Sequence, residues 1–495
     1  MRRIAALLAL AFASFATHAQ TPQPVPIMLD TAPVLMLSDI HFDPFHDPAK
    51  VPALLKAPVV QWHRILSQPD SPTQAEMFAD LQAACKAKGI DTPMPLLTST
   101  LIAAHTRQPH PLFITVSGDL TVHKLDCLYQ KFHPASAKDT FAADYSAFSA
   151  KIVAFVALEL HDAFPGVPVY LALGNNDSGC RDYSEDRGST YLHADAQAFA
   201  ADALSPANRS AVLHDFPALG DANVELPAPF HHTRLLMMQD IFESKKFTTC
   251  DGKDAAIDGA AQIDWLRKQL AAARDAHERV WVMAHIPPGV DAYSTVTKTA
   301  KKDASGCAYA RPELFLNSEL FANAIADFPD VINLVLLGHT HMDEMRLYTG
   351  KDGTPIPGKL VPSVTPVNGN TPSFTLAVVD PAKAILVDYT VYAEHVTVGV
   401  GTQWLPEYTY STTYSQPDFS GASVAAITKG FLADPASKTT QSQSYESFYF
   451  VGGASAGINM KAAALGSVWP IYSCSITQAN VTGFTACACP ASPTP

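Results

Sequence analysis

Val331-Ile332-Asn333-Leu334-Val335-Leu336-Leu337-Gly338-His339-Thr340-His341 is a short aliphatic run that stops at a glycine and hands over two imidazoles. A run of this length and β-branched content predicts a buried strand with a ligand-bearing loop at its carboxyl end. Four other places have the same build. Val34–Leu37 leads into Asp39-Ile40-His41, and Leu112–Val116 into Gly118-Asp119. Val167–Leu173 leads into Gly174-Asn175-Asn176-Asp177, and Val280–Met283 into His285. Carboxylate, amide and imidazole groups thus sit where open α/β sheets bind ligands, at the carboxyl ends of strands.

Between these runs lie helical patterns. Ile263, Leu266 and Leu270 share one face of a segment Ile263–Ala273, and Pro312–Phe328 reads as a helix with Pro at its first turn. Leu235–Met238 is a further strand. Alternating strands and helices predict an α/β fold, a four-layer α-β-β-α sandwich. After His341 the texture changes. Phe374–Val379 and Ile385–Tyr392 read as antiparallel strands with no helix between them. From about Thr402 the chain is rich in Ser, Thr, Tyr and Ala, with helical patches near Ala422–Leu432. The expected division is a lead over 20–30, a catalytic domain over 31–401, a mainly helical appendage over 402–489 and a disordered tail over 490–495.

The chain has 495 residues, long enough for a large domain with an appendage. Arg2-Arg3, an apolar run from Ile4 to about Ala16 and Thr17-His18-Ala19 read as a secretory signal peptide over 1–19. The apolar run is short for a membrane span, so no stable span is expected. Export to a periplasmic or extracellular compartment follows. The formal charge is −13, and cleavage would remove two arginines and no acid. With no Lys/Arg block there is no phosphate track, which argues against duplex nucleic acid as a partner. Eight cysteines without a CxxC pair then predict disulfides. Cys474 pairs with Cys487 or Cys489, and the other pairings are open.

Asp39, His41, Asp119, Asn175, His285, His339 and His341 suffice to hold two divalent metal ions. Asp119, with lone pairs on both oxygens, suits a bridge. Asp39, His41 and His341 suit one ion, and Asn175, His285 and His339 the other. Two ions a few ångströms apart share a hydroxide and clamp phosphoryl oxygens during in-line displacement. A phosphodiester is the expected substrate. Singly, each motif is weak: an isolated Asp-x-His is mostly chance, and an isolated histidine is more often a surface or core residue. His231-His232 reads as surface. Phe42, Phe45, Trp62 and Tyr183 are candidates for an apolar substrate wall, though core packing explains them equally well. Asn208-Arg209-Ser210 and Asn480-Val481-Thr482 are glycosylation sequons.

With Ser38–Phe42, Ser117–Asp119, Leu173–Asp177, Ala284–Gly289 and Gly338–His341 in this order, the chain resembles the calcineurin-like metallophosphoesterases. Pro362–Pro366, Asn370–Phe374, Asp388–Tyr392 and the Tyr-rich, Cys-containing C-terminal region extend the resemblance to the acid sphingomyelinase and acid-sphingomyelinase-like phosphodiesterase branch, over about Pro33 to Cys489. The resemblance implies zinc, and the mixed donor set suits Zn, Mn or Fe. It also implies transient lipid contact or a small nucleotide-like diester. The family usually has histidine where Asn176 stands, a residue that binds the phosphoryl group or protonates the leaving oxygen. Asn176 donates a hydrogen bond but is no general acid. His123, four residues after Asp119, occupies the offset of a leaving-group acid in the sphingomyelinase branch. Asp39 follows Ala19 by 20 residues, which leaves no room for the lipid-lifting domain of the longer sphingomyelinases. Two rival expectations are a phosphomonoesterase and a metal- or phosphate-binding protein whose catalysis lapsed through Asn176.

Overall fold

A computed structural model describes residues 31–133, 140–253, 256–298, 307–395, 403–452 and 465–489. The expected signal peptide, lead and tail lie outside them. Twelve strands occur among the described residues: β1 (Ala32–Leu37), β2 (Ile114–Ser117), β3 (Val169–Ala172), β4 (Ala222–Glu225), β5 (Thr233–Met237), β6 (Arg279–Met283), β7 (Ile332–Leu337), β8 (Glu344–Thr349), β9 (Pro355–Leu360), β10 (Ser373–Asp380), β11 (Ile385–His395) and β12 (Gln403–Thr409). They form two mixed six-stranded sheets, ordered β12-β11-β10-β1-β2-β3 and β4-β5-β6-β7-β9-β8.

Alternation along the strands fixes the layers. On β6, Trp281 and Met283 join the core shared with the first sheet, whereas Val280 and Val282 join a second core. On β7, Leu334 and Leu336 face the shared core, and Val335 and Leu337 the second. That second core contains Ile263, Leu266 and Leu270 of the helix Ala256–Asp275 and Phe321 and Ile325 of the helix Leu320–Asp327. Period-2 side chains therefore bury both faces of the sheet, one against the other sheet and one against helices. Phe113 and Trp281 meet edge-on across the sheets at 6.0 Å. Helices Met94–Arg107 and Phe141–Ala163 pack with the first sheet through Leu97, Leu101, Phe148 and Ile152. The helix Phe141–Ala163 is long and apolar enough to cross a membrane by length and composition, yet half of its apolar window is buried inside the fold.

Three expectations change. Residues 312–319 are not helical; the helix begins at Leu320. The preceding stretch is extended, pairing Leu314 with Val290 and Leu316 with Ser244. Pro312 fits an extended chain as well as a helix start, and Leu314 and Leu316 alternate rather than following helical spacing. Phe42, Phe45 and Trp62 have no exposed surface and pack with Phe148 and Phe155, so they line no cleft. Asn208 is buried, its amide spent on both backbone groups of Glu225, which closes that sequon to a glycan. His231 and His232 are exposed, as expected.

The strand β12 pairs with β11, so the first sheet continues past residue 402. Beyond it, helices Gly421–Ala433, Thr440–Phe448, Trp469–Thr477 and Val481–Ala488 form the C-terminal region. It docks against β8 and β9. Gly421 lies so near the Pro355 carbonyl that any Cβ would collide with it, which demands glycine there. All eight cysteines are paired, as Cys85–Cys127, Cys180–Cys250, Cys307–Cys489 and Cys474–Cys487. Cys474 thus takes the nearer of its two expected partners.

Candidate metal centre

The five motif loops leave the carboxyl ends of β1, β2 and β3 in one sheet and β6 and β7 in the other, and they meet between the two. Backbone bonds stitch them together. Asp39 N donates to Gly118 O at 2.9 Å, His41 N to Asp119 O at 2.9 Å, and Gly338 N to His285 O at 2.9 Å. Across the sheets, Ser117 Oγ donates to Leu337 O at 3.1 Å, and Asp39 accepts from His339 N.

Asp39 (φ 47°), His41 (45°), Asp119 (56°), His339 (73°) and His341 (66°) all occupy the left-handed region. Non-glycine residues rarely adopt it, and such conformations persist only where the surroundings over-determine them. Gly118, at φ 95°, lets the His285 ring approach; a Cβ there would lie 2.6 Å from Nδ1.

The donors converge. His41 Nε2 lies 3.3 Å and His285 Nε2 3.2 Å from Asp119 Oδ2, and His341 Nε2 lies 3.4 Å from Asp39 Oδ1. His339 Nδ1 and Asn175 Oδ1 are 2.8 Å apart. Donors bound to one ion at about 2 Å sit about 3 Å from each other, so the spacings fit shared cations. Nδ1 of His41 bonds Thr121 O and Nδ1 of His285 bonds Ser117 O, both at 2.8 Å. Each carbonyl fixes the tautomer with Nδ1–H outward and turns the Nε2 lone pair inward. Those two Nε2 atoms are buried and have no hydrogen-bond partner. A buried imidazole nitrogen without a partner fits a metal ligand. Asn175 Nδ2 donates to Asp182 at 2.8 Å, which points its carbonyl oxygen toward His339.

Electrostatics agree. Burial opposes charge on Asp119, yet the facing His285 and His41 imidazoles hold it well below the usual carboxylate range. Against burial, Asp119 raises His41 to about 9 and His285 to about 10. Burial, then His285, pushes His339 down to about 3. Burial pushes Asp39 up to about 6. A cation entering there would displace any proton on the Nε2 atoms of His41 and His285.

His123 stands at the rim, with 32% of its side chain exposed and its ring stacked on His41 at 3.8 Å. Asp91 holds its Nδ1 at 3.0 Å and its backbone N–H at 2.9 Å, and Thr365 Oγ1 holds Asp91 at 3.0 Å. Asp91 carries no motif, and nothing in its neighbourhood of sequence marks it. Asn176 turns onto Asp119, donating from its backbone N at 2.8 Å and from Nδ2 at 2.9 Å.

Beside His339 opens a cavity of about 560 Å³, lined by Tyr293, Phe315, Tyr449, Phe450, Leu465 and Val468 among others. Phe315 comes from the extended stretch before the helix Leu320–Asp327 and lies edge-on to His339 at 5.9 Å. Tyr183, the fourth expected wall residue, meets His339 edge-on from another direction at 6.4 Å.

The sequence profile described as Calcineurin-like phosphoesterase matches residues 32–343, more than half of the chain and all five loops. The chain belongs to that family. This phosphoesterase is similar to acid sphingomyelinase-like phosphodiesterase 3b from Homo sapiens, 26% identical over 422 residues, which is 82% of each chain. It is also similar to cyclic GMP-AMP phosphodiesterase SMPDL3A from Mus musculus, 26% identical over 61% of this chain and 64% of that one. A dimetal phosphatase from Danio rerio overlaps 76% of this chain and 98% of its own, at 12% identity and a TM-score of 0.37. As a phosphoesterase, the protein hydrolyses phosphoric esters.

Proposed function

We propose that the protein is an exported phosphodiesterase whose two divalent cations, zinc by preference, are held by Asp39, His41, Asp119, Asn175, His285, His339 and His341. One observation carries this reading. Two sheets bring five strand ends to one point, where buried imidazole nitrogens without hydrogen-bond partners face a carboxylate. Bound there, the ions would acidify water and draw charge from the phosphoryl oxygens. Asp119 would touch both ions, with Asp39, His41 and His341 on one side and Asn175, His285 and His339 on the other. His123, held by Asp91 and partly exposed, would give a proton to the departing alcohol. Asn176 fixes Asp119 through two hydrogen bonds. The apolar cavity beside His339 would seat the organic group on phosphorus, and its aromatic and aliphatic lining favours a lipid-like or planar heterocyclic alcohol. Four disulfides fit an oxidising compartment.

The test compares bis(4-nitrophenyl) phosphate with 4-nitrophenyl phosphate, before and after chelation, alongside metal analysis. The expected result is preference for the diester, loss on chelation and recovery with zinc. Preference for the monoester would make the protein a phosphomonoesterase. Metal binding without turnover would make it a binding protein.

A further inference from the structure

Behind the loop that carries His341 lies a buried ion pair. Lys359 on β9 has no exposed surface, and its ammonium contacts the Asp343 carboxylate. Asp343, 5% exposed, follows His341 by two residues. Its other oxygen accepts from the Tyr408 hydroxyl at 2.8 Å, and its N–H donates to Tyr449 O at 2.9 Å. Lys359 also donates to Leu360 O at 2.6 Å, and its ammonium lies 4.9 Å from the centre of the Tyr389 ring. Beyond β9 the chain returns to the same loop, where Ser363 N donates to His341 O at 3.2 Å. The loop is thus tied to both sheets and to the C-terminal region.

His341 needs such ties. His41 and His285 are each oriented by a backbone carbonyl on Nδ1, and His339 is paired with Asn175. The Nδ1 of His341 is buried and has no hydrogen-bond partner. The ring meets Asp39 through Nε2 at 3.4 Å and packs against His41 and His123, but no hydrogen bond on Nδ1 fixes it, so its backbone, in the left-handed region, carries more of its direction. A buried ion pair is a poor device for stability alone, because apolar side chains of similar volume commonly do as well or better. What it supplies is direction: a charge-assisted bond fixes the loop at one angle.

Resting on the metal-centre reading above, we propose that Lys359 and Asp343 are positioning residues for His341, setting the angle at which its imidazole meets the cation it shares with Asp39 and His41. Removing one partner strands a buried charge, whereas replacing both keeps charge balance. The test is therefore Lys359→Met combined with Asp343→Leu in the full chain, titrated with Zn2+ by calorimetry after chelation. Thermal unfolding of the chelated protein is measured in parallel. The expected result is one of two zinc sites weakened roughly 10- to 100-fold, the range for outer partners of metal ligands. The other site and the unfolding midpoint stay near those of the parent chain. Unchanged affinity at both sites overturns the proposal. If the double variant does not fold, Tyr408→Phe keeps the ion pair and removes the hydroxyl that bonds Asp343 and, at 3.2 Å, the Tyr389 hydroxyl. It should weaken the same site several-fold, and unchanged affinity there overturns the proposal equally. A parent chain that binds no zinc would instead refute the metal centre itself.

Discussion

Asp119 is the residue on which the proposed centre turns. It faces His41 and His285, accepts two bonds from Asn176 and is held ionised by the imidazoles around it. Asp119→Asn keeps the shape and removes the charge. It should lower affinity at both cation positions and reduce kcat by roughly a hundredfold or more, since disturbing even outer partners costs 10- to 100-fold. Asn175→Ala should weaken one position only, and equal metal content in the two variants would refute the bridge. His123 gives a second prediction at this scale. A poor alkoxide leaving group needs a proton as the P–O bond breaks, and nitrophenolate does not. His123→Ala should slow alkyl phosphodiester hydrolysis by about 10²–10⁴-fold and nitrophenyl ester hydrolysis much less. Asp91→Asn should follow the same pattern more weakly, because Asp91 orients the ring without touching substrate. Equal losses on both substrates would assign His123 to binding or folding.

At the scale of elements, legibility in the sequence followed burial. Runs such as Val331–Leu337 are short, apolar and end in glycine, so strand and loop were both readable. Their convergence was not written locally, because the loops of β1, β2 and β3 meet those of β6 and β7 only when two sheets stack. Phe42 and Phe45 closely follow Asp39 in sequence, yet an isolated bridge at Phe42, a turn at Phe45 and the helix that begins at Trp62 turn all three rings into the core. The cavity beside His339 is instead lined by Tyr293, Phe315, Tyr449, Phe450, Leu465 and Val468, scattered along the chain. Asp91 and Lys359 were invisible for the same reason, being single residues made meaningful by distant partners. The wall carries its own prediction. Val468→Asp places a charge on an apolar surface. It should raise KM about 10-fold for diesters with a large apolar alcohol and leave dimethyl-type diesters nearly unaffected, given what a methylene or two contributes in such pockets. Equal effects on large and small esters would remove the cavity from the substrate path.

For the whole molecule, buried acids set a dependence on pH. Burial pushes Glu185 and Asp240 each up to about 7. Both bind a proton more readily folded than unfolded, so the stability they contribute is complete below about pH 4 and is lost as pH rises through about 7. Between pH 5 and pH 8 the parent chain should therefore lose more of its unfolding midpoint than Glu185→Gln, which has no such proton to give up. The same change of midpoint in both proteins over this interval would contradict the assignment.

The tie between Cys307 and Cys489 spans 182 residues, whereas Cys85–Cys127, Cys180–Cys250 and Cys474–Cys487 span 42, 70 and 13. A ribosome delivers these thiols one after another. By the time Cys307 emerges, the four before it can already have found each other, which leaves it the odd thiol while the remaining chain is made. When Cys474, Cys487 and Cys489 then arrive, Cys474 and Cys487 close a short loop, and Cys307 must take Cys489. Any early capture of Cys307 by an upstream cysteine has to be undone by exchange. An isomerase beside the oxidant should therefore raise the yield of correctly paired protein, and the stretch bearing Phe315 is locked to Cys489 only after the chain has grown 182 residues past Cys307.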